Sequence, residues 1–160
     1  MRALTIFLFI VYLVILVKIV LFKGALFYQV VPGTDDYRIN SQNKTYYGYN
    51  LVPFRTILSF LTLHPSTSTS AKVFNLLGNI ALFIPFGFLF PILFDRMSKF
   101  KTVFFISLLL SLFFELFQLI THTGQSDVDD LILNSLGAVI GYFAFVAIFQ
   151  FKHKKLDNPG

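Results

Sequence analysis

The chain contains four mostly apolar runs, each about 20 residues long. They cover residues 3–22, 74–94, 102–120 and 131–151. Because a helix rises about 1.5 Å per residue, each run is long enough to cross the roughly 30 Å hydrocarbon core of a bilayer. We therefore predict an all-α, polytopic membrane protein whose single membrane domain contains four transmembrane helices.

The composition agrees with a chain that lies in lipid. Hydrophobic residues make up 56% of the 160 residues and charged residues only 13%, a balance that differs from that of soluble domains. No glycine-rich phosphate loop and no basic, aromatic RNA-binding pattern occurs, so no nucleic-acid partner is predicted. Cysteine is absent, which excludes disulfides, thiol chemistry and cysteine-ligated metal.

The first run competes with a signal peptide, because Arg2 precedes it. Residues 3–22 are too long for the core of a signal peptide, and no cleavage motif of small residues follows them, so we predict a retained helix. The polar loop 23–73 contains an apolar segment, 51–63, that is too short to span. It is predicted as an interfacial or re-entrant helix with Pro53 in its first turn.

Polar residues recur on one face of each of the last two runs, where lipid should exclude them. On the third run they are spaced by four, four and three positions, which places them along one helical stripe: Ser107, Ser111, Glu115 and Gln118. The fourth run has a similar face: Asp127, Asp130, Asn134, Gly137 and Gly141. A carboxylate within an apolar span costs about 2.5–3.5 kcal/mol on insertion scales, so these positions are candidates for a functional site.

The distribution of positive charge predicts the orientation. Lysine and arginine flank the runs at both termini and in the turn 95–101, whereas the turn 121–130 has none and the long loop 23–73 dilutes its own. The positive-inside rule then places both termini in the cytoplasm. With that orientation the misplaced polar residues all fall at the outer leaflet: Arg55, Asn79, Glu115, Gln118, Asp127, Asp130 and Asn134.

Structural explanations compete with a functional one. Ser126 is suited to capping the fourth helix, and the acidic residues after it suit the positive end of the helix dipole, which could be the whole role of Asp129. Glu115 could hydrogen-bond Asn79, Gln118 and Asn134 purely as packing between helices.

Asn50 and Pro53 could simply cap the interfacial helix. Gly137 and Gly141 form a GxxxG pair that allows another helix to approach closely, including one from a partner protein. His122 lies near Glu115 and the aspartates in sequence, but no HExxH motif or Ca²⁺-binding loop is present. We therefore predict no metal site and no cofactor.

Four separate pieces, in the same order along the chain, resemble the VanZ-like family of bacterial membrane proteins, which is named for a teicoplanin-resistance accessory protein. The resemblance covers about residues 50–145, and it rests on the following elements: Asn50-Leu51-Val52-Pro53-Phe54-Arg55-Thr56, the stretch 79–88, Ser111 with Glu115 and Gln118, and the stretch 127–137. Family members usually carry an arginine just before the Asp-x-Asp-Asp element, where this chain has His122-Thr123-Gly124-Gln125-Ser126. Arg55 is then the predicted counter-ion of the carboxylates.

The resemblance implies a protein of the bacterial cell membrane with a role in the envelope, including lowered sensitivity to teicoplanin-type glycopeptides. Our leading hypothesis is a non-enzymatic protein that binds a lipid headgroup or a lipophilic glycopeptide at an outer-leaflet pocket. An alternative is an intramembrane hydrolase or transferase acting on a lipid-linked wall precursor, with Glu115 or Asp127 as general base. A third hypothesis is a structural partner of another membrane protein, joined through Gly137 and Gly141.

Overall fold

The computed structural model describes residues 2–27, 37–40, 45–61, 69–121 and 125–156. Its helices are α1 (Arg2–Phe27), α2 (Arg55–Leu61), α3 (Thr69–Leu93), α4 (Phe100–Thr121) and α5 (Val128–Leu156), with a short 3₁₀ turn at Asp95–Met97. Its strands are β1 (Tyr37–Asn40), β2 (Thr45–Asn50) and β3 (Gln125–Asp127).

The predicted fold class is confirmed. Within the described residues four helices are long and apolar enough to cross a membrane, and the spans within them are Ala3–Leu21, Asn75–Leu93, Phe100–Thr121 and Val128–Phe149. The helices extend past the predicted runs by a few residues at several ends, because polar residues at the ends of an apolar run can continue a helix into the interface. In the loop 23–73 the short helix α2 begins at Arg55, two residues after Pro53.

A small three-stranded sheet, which the sequence did not predict, joins the long loop to the start of α5. Strand β2 lies in its middle, antiparallel to β1 and parallel to β3. The parallel register pairs Gly48 with Gln125, Tyr49 with Ser126, and Asn50 with Asp127. The sheet therefore fixes one segment of the loop directly against the residues that precede α5.

Close contact between α3 and α5 depends on three glycines. A Cβ atom added to Gly137 would lie 2.1 Å from the Ile80 carbonyl oxygen, and one added to Gly141 would lie 2.0 Å from that of Ile84. A Cβ on Gly87 would lie 1.9 Å from the carbonyl oxygen of Ala138. The predicted close approach at Gly137 and Gly141 thus occurs within the chain. Because α3 covers this face, the glycines have no room for a helix from another protein.

Aromatic side chains fill the space between α1 and α3. Phe9 packs against Phe86, whose ring also stacks on Phe90. The hydroxyl of Tyr12 donates a hydrogen bond of 2.7 Å to the Leu82 carbonyl oxygen. This contact ties the two helices together near Pro85, inside α3.

The helices alternate in direction, so α1 and α4 end where α3 and α5 begin. Contacts along the bundle show this order, since Tyr142 of α5 packs on Phe100 at the start of α4, whereas Asn134 bonds Ser111 nearer its end. The loop elements β1, β2 and α2 connect at the end where α1 stops. We call this the polar end, because the candidate site lies there.

Candidate functional site

Six of the seven predicted site residues are buried at the polar end, and the seventh is exposed. The buried side chains have relative exposures of 4% or less: Asn79, Glu115, Gln118, Asp127, Asp130 and Asn134. Arg55, the first residue of α2, is exposed. The helical stripe predicted from the spacing on α4 is likewise buried along its length, from Ser107 to Gln118. The structure therefore brings the predicted polar residues to the interior of one end of the bundle.

Asp127 joins β3, the loop and α5 through its side chain. Asn50, its partner in the sheet, donates from Nδ2 to Asp127 Oδ1 at 3.0 Å. The Thr56 hydroxyl donates to the other carboxylate oxygen of Asp127. The backbone N–H of Asp129 donates to Asp127 Oδ1 at 2.9 Å, the bond that a helix N-cap residue makes two positions ahead. Asp127 therefore caps α5, and the prediction that Ser126 would do so was wrong.

Asp129 caps a different helix from its own. Its carboxylate accepts the backbone N–H groups of Phe54, Thr56 at 2.8 Å and Ile57 at 3.1 Å. These groups lie at the start of α2, where a helix leaves N–H groups without internal partners and favours negative charge. We expected Asp129 only to stabilise the dipole of its own helix. The structure shows that it also caps α2.

The cap of α2 also differs from the predicted one. Asn50 does not cap this helix; it folds back locally, with its Oδ1 accepting the backbone N–H of Val52 at 3.2 Å. Phe54 adopts a φ of 65°, in the left-handed region that a bulky residue rarely occupies. That conformation accompanies the bond from its backbone N–H to Asp129.

Residues 50–57, which we call the strap, therefore lie across the start of α5. They are held there by the two carboxylates of Asp127 and Asp129. The strap thus connects the acidic turn before α5 with the segment from Asn50 to Thr56, two regions that lie far apart in the sequence.

The remaining carboxylates link the other helices. Asn79 of α3 donates from Nδ2 to Asp130 Oδ1 of α5. Glu115 of α4 accepts the backbone N–H of Asp127 with Oε2 at 2.7 Å. Each carboxylate of the polar end thus meets at least one donor from a different element, as buried polar groups require.

The carboxamides of Gln118 and Asn134 complete the network. Gln118 lies one helical turn after Glu115 on α4, and Asn134 of α5 bonds Ser111, which lies one turn before Glu115. Asn134 donates from Nδ2 to the Ser111 hydroxyl at 2.8 Å, and Gln118 donates from Nε2 to the Val20 carbonyl oxygen of α1 at 2.8 Å. Among the described residues, however, the buried oxygens of both carboxamides accept no hydrogen bond, and neither does the buried hydroxyl of Ser135. An unsatisfied buried polar atom is unfavourable by about 1–3 kcal/mol.

Among the described side chains, the acidic groups of the polar end are buried, and the basic groups of the whole chain are exposed. Four carboxyl groups are buried, those of Glu115, Asp127, Asp129 and Asp130. In contrast, every lysine and arginine whose side chain the structure describes is exposed: Lys18, Arg55, Arg96, Lys99 and Lys101. Burial raises the pKa of Asp127 above its ordinary value of 3.8, while the bonds from Thr56, the Asp129 N–H and Asn50 oppose the rise.

The described part of the chain contains no group of three or more His, Asp or Glu side chains placed to hold a metal ion. His122, considered above as a possible ligand, lies outside the described residues.

Three residues of the site were not among the predicted ligand-binding positions. Asn50 and Thr56 lie in a segment noted in the sequence analysis. Their positions on either side of Pro53 were the available signal. Asp129 was assigned to its own helix because nothing local indicates a bond to a residue 73 positions away.

Comparison with known proteins gives two matches. The family described as VanZ/LLP1 matches this chain over residues 9–150. Protein VanZ of Enterococcus faecium is 34% identical over 99 residues, which are 61% of this chain and 60% of that protein. The chain thus spans about 60% of the length of this relative. No solved structure matches.

Proposed function

The chain belongs to the VanZ-like family, and on that basis we propose that it is a bacterial envelope protein that binds the headgroup of a membrane amphiphile at its polar end. The amphiphile is a lipid, a lipid-linked wall precursor or a lipophilic glycopeptide. Binding of the last would lower sensitivity to teicoplanin-type drugs. The supporting observation is the convergence of six buried polar side chains at one end of an otherwise lipid-facing bundle.

Arg55 supplies the contact for the anionic part of the headgroup. It is exposed, and it lies on the strap between Phe54 and Thr56, both of which bond the buried aspartates. An arginine can bind a phosphate through two parallel hydrogen bonds. Exposed apolar side chains of the strap and α2 flank it, namely Leu51, Val52, Phe54 and Leu58, which suits a ligand with acyl chains.

The contacts of the strap also favour a binding function over a hydrolytic one. The two candidate bases already make structural contacts, since Glu115 accepts the N–H of Asp127 and Asp127 accepts bonds from Asn50 and Thr56. A carboxylate that holds the fold in this way is poorly placed to take up a proton during each turnover. We therefore assign the aspartates to positioning the strap.

The orientation in the membrane belongs to the same proposal. The end opposite the polar end has exposed Arg96, Lys99 and Lys101, and the positive-inside rule places such a turn in the cytoplasm. The polar end then faces the outer leaflet of a bacterial cell membrane, with both termini inside. The experiment that tests the function is a measurement of headgroup retention by the purified protein after Arg55→Ala.

A further inference from the structure

The start of α5 is recessed relative to the end of its neighbour α4. Glu115 of α4 accepts the backbone N–H of Asp127 at 2.7 Å, which places these two residues at one level of the bundle. Helix α4 continues beyond Glu115 to Thr121, a length of about 9 Å at the helical rise. The acidic turn therefore lies about two turns below the end of α4.

The part of α4 that extends past this level has an apolar surface. It belongs to the span Phe100–Thr121, and its exposed side chains include Leu116 and Ile120, the latter 76% exposed. Exposed apolar side chains on a membrane-spanning helix face lipid. Because the lipid-facing surface of α4 continues past the level of Asp127, an exposed side chain at that level lies at the depth of the acyl chains.

Helix α2 is held at the same level. The backbone N–H groups of Thr56 and Ile57 in its first turn bond Asp129, and the helix also contacts α3 and α5. Phe54 and Leu58 are 53% and 54% exposed, and the Leu58 N–H bonds the Phe54 carbonyl oxygen. Their spacing of four residues places both on one face. This apolar face is continuous with the lipid-facing surface of the helices that α2 contacts.

We propose that α2 lies inside the leaflet at the polar end, with Phe54 and Leu58 packed among lipid acyl chains. The partner of this face is the membrane itself, because removing two large apolar side chains from water is favourable and the depth of the acidic turn puts acyl chains beside them. The bonds to Asp129 hold the helix there, so the insertion depends on the same carboxylate that caps it.

The depth of α2 also specifies how a ligand reaches Arg55, an inference that rests on the headgroup-binding function above. Arg55 follows Phe54 directly, and a long arginine side chain can extend from this depth to the phosphates of surrounding lipids. The ligand then approaches sideways within the leaflet and keeps its acyl chains in lipid. The ligand class is therefore a membrane-resident amphiphile and not a free headgroup dissolved in water.

Tryptophan fluorescence tests the depth, because the chain contains no tryptophan. Phe54→Trp and Leu58→Trp each introduce one reporter into the full chain in lipid nanodiscs. We expect phosphatidylcholine with brominated acyl chains to quench both reporters and acrylamide in the water to quench them weakly. If Phe54→Trp does not fold, as judged by thermal unfolding, Leu58→Trp decides.

Two further positions calibrate the measurement. Leu109→Trp reports on the lipid-facing middle of α4, where the side chain is 62% exposed, and Met97→Trp reports on the exposed turn at the opposite end. The reporters on α2 should lose fluorescence in brominated lipid to an extent comparable with Leu109→Trp. Quenching by acrylamide as strong as that of Met97→Trp, without quenching by brominated lipid, would overturn the insertion.

The lateral route has its own test on the unaltered protein. Native mass spectrometry in detergent compares phosphatidylglycerol and phosphatidylethanolamine with their deacylated headgroups. We expect loss of the acyl chains to weaken binding by at least about tenfold. Equal binding of lipid and free headgroup would overturn the lateral route while leaving headgroup binding intact. If none of the four compounds binds, the route fails together with the proposed function, and the quenching experiment still decides the depth of α2.

Discussion

The carboxylate of Asp129 and the backbone N–H of Thr56 lie 2.8 Å apart, although 73 positions separate the two residues in sequence. This bond connects the start of α5 to the start of α2. Together with the bonds of Asp127 to Asn50 and Thr56, it holds the strap on the polar end. The main structural role of the acidic turn is therefore to position the loop that carries Arg55.

Removal of the Asp129 carboxylate should destabilise the protein. Asp129→Ala leaves three backbone N–H groups at the start of α2 without their acceptor, and we expect a loss of about 1–3 kcal/mol in the free energy of unfolding. Denaturant unfolding in detergent micelles measures it. Asp95→Ala, which removes an exposed carboxylate at the opposite end, should change stability by less than about 0.5 kcal/mol. Similar small effects of both substitutions would refute the capping role.

The contact between α3 and α5 predicts opposite effects at two glycines. Gly137→Ala places a Cβ 2.1 Å from the backbone oxygen of Ile80, so the helices must separate. The expected loss is about 1–3 kcal/mol. At Gly78 on α3 a Cβ meets nothing within 4 Å, so Gly78→Ala should be neutral or stabilising by up to about 1 kcal/mol through helix propensity. Thermal unfolding of the two variants in one detergent compares them; equal shifts would contradict the packing.

The raised pKa of Asp127 predicts the sign of one pH dependence. Burial makes the folded state hold this proton more tightly than the unfolded state does, so the group contributes stability that decreases as pH rises above its ordinary value of 3.8. Asp127→Asn should therefore flatten the decline in stability over that range. Unfolding of both proteins between about pH 3.5 and pH 7 tests this. A steeper decline in the variant would show that the pKa is lowered instead.

Orientation is testable because the chain has no native cysteine. Leu51→Cys and Met97→Cys each place one thiol at an exposed position, the first on the strap and the second in the turn at the opposite end. A membrane-impermeant maleimide applied to intact cells should label Leu51→Cys, and it should label Met97→Cys only after lysis. The reverse pattern would place the polar end in the cytoplasm.

The membrane architecture was predictable because it depends on local properties of the chain. Apolar runs of sufficient length specify spans wherever they occur, and the spacing from Ser111 to Glu115 and Gln118 specifies one buried face without knowledge of the partner helix. The close approach at Gly137 could be predicted for the same reason. Which helix packs against it could not.

The strap and the sheet could not be predicted in this way, because their contacts join distant segments. Strand β3 has three residues and becomes a strand only beside β2. The bond between Asn50 and Asp127 crosses 77 positions, and neither residue has a local pattern that names the other. The sequence therefore indicates which polar residues are unusual, but its patterns do not separate the aspartates that hold the strap from the other buried polar side chains.

We propose that the polar end binds the headgroup of a membrane amphiphile through Arg55. The most direct test is the amount of lipid or lipid-linked precursor that stays bound to the purified protein, measured by mass spectrometry for the unaltered chain, Arg55→Ala and Arg96→Ala. Arg96 is an exposed arginine at the opposite end and serves as the matched control. One headgroup class should be retained by the unaltered chain and by Arg96→Ala but reduced about tenfold in Arg55→Ala. The same retained lipids in equal amounts for all three proteins would contradict it.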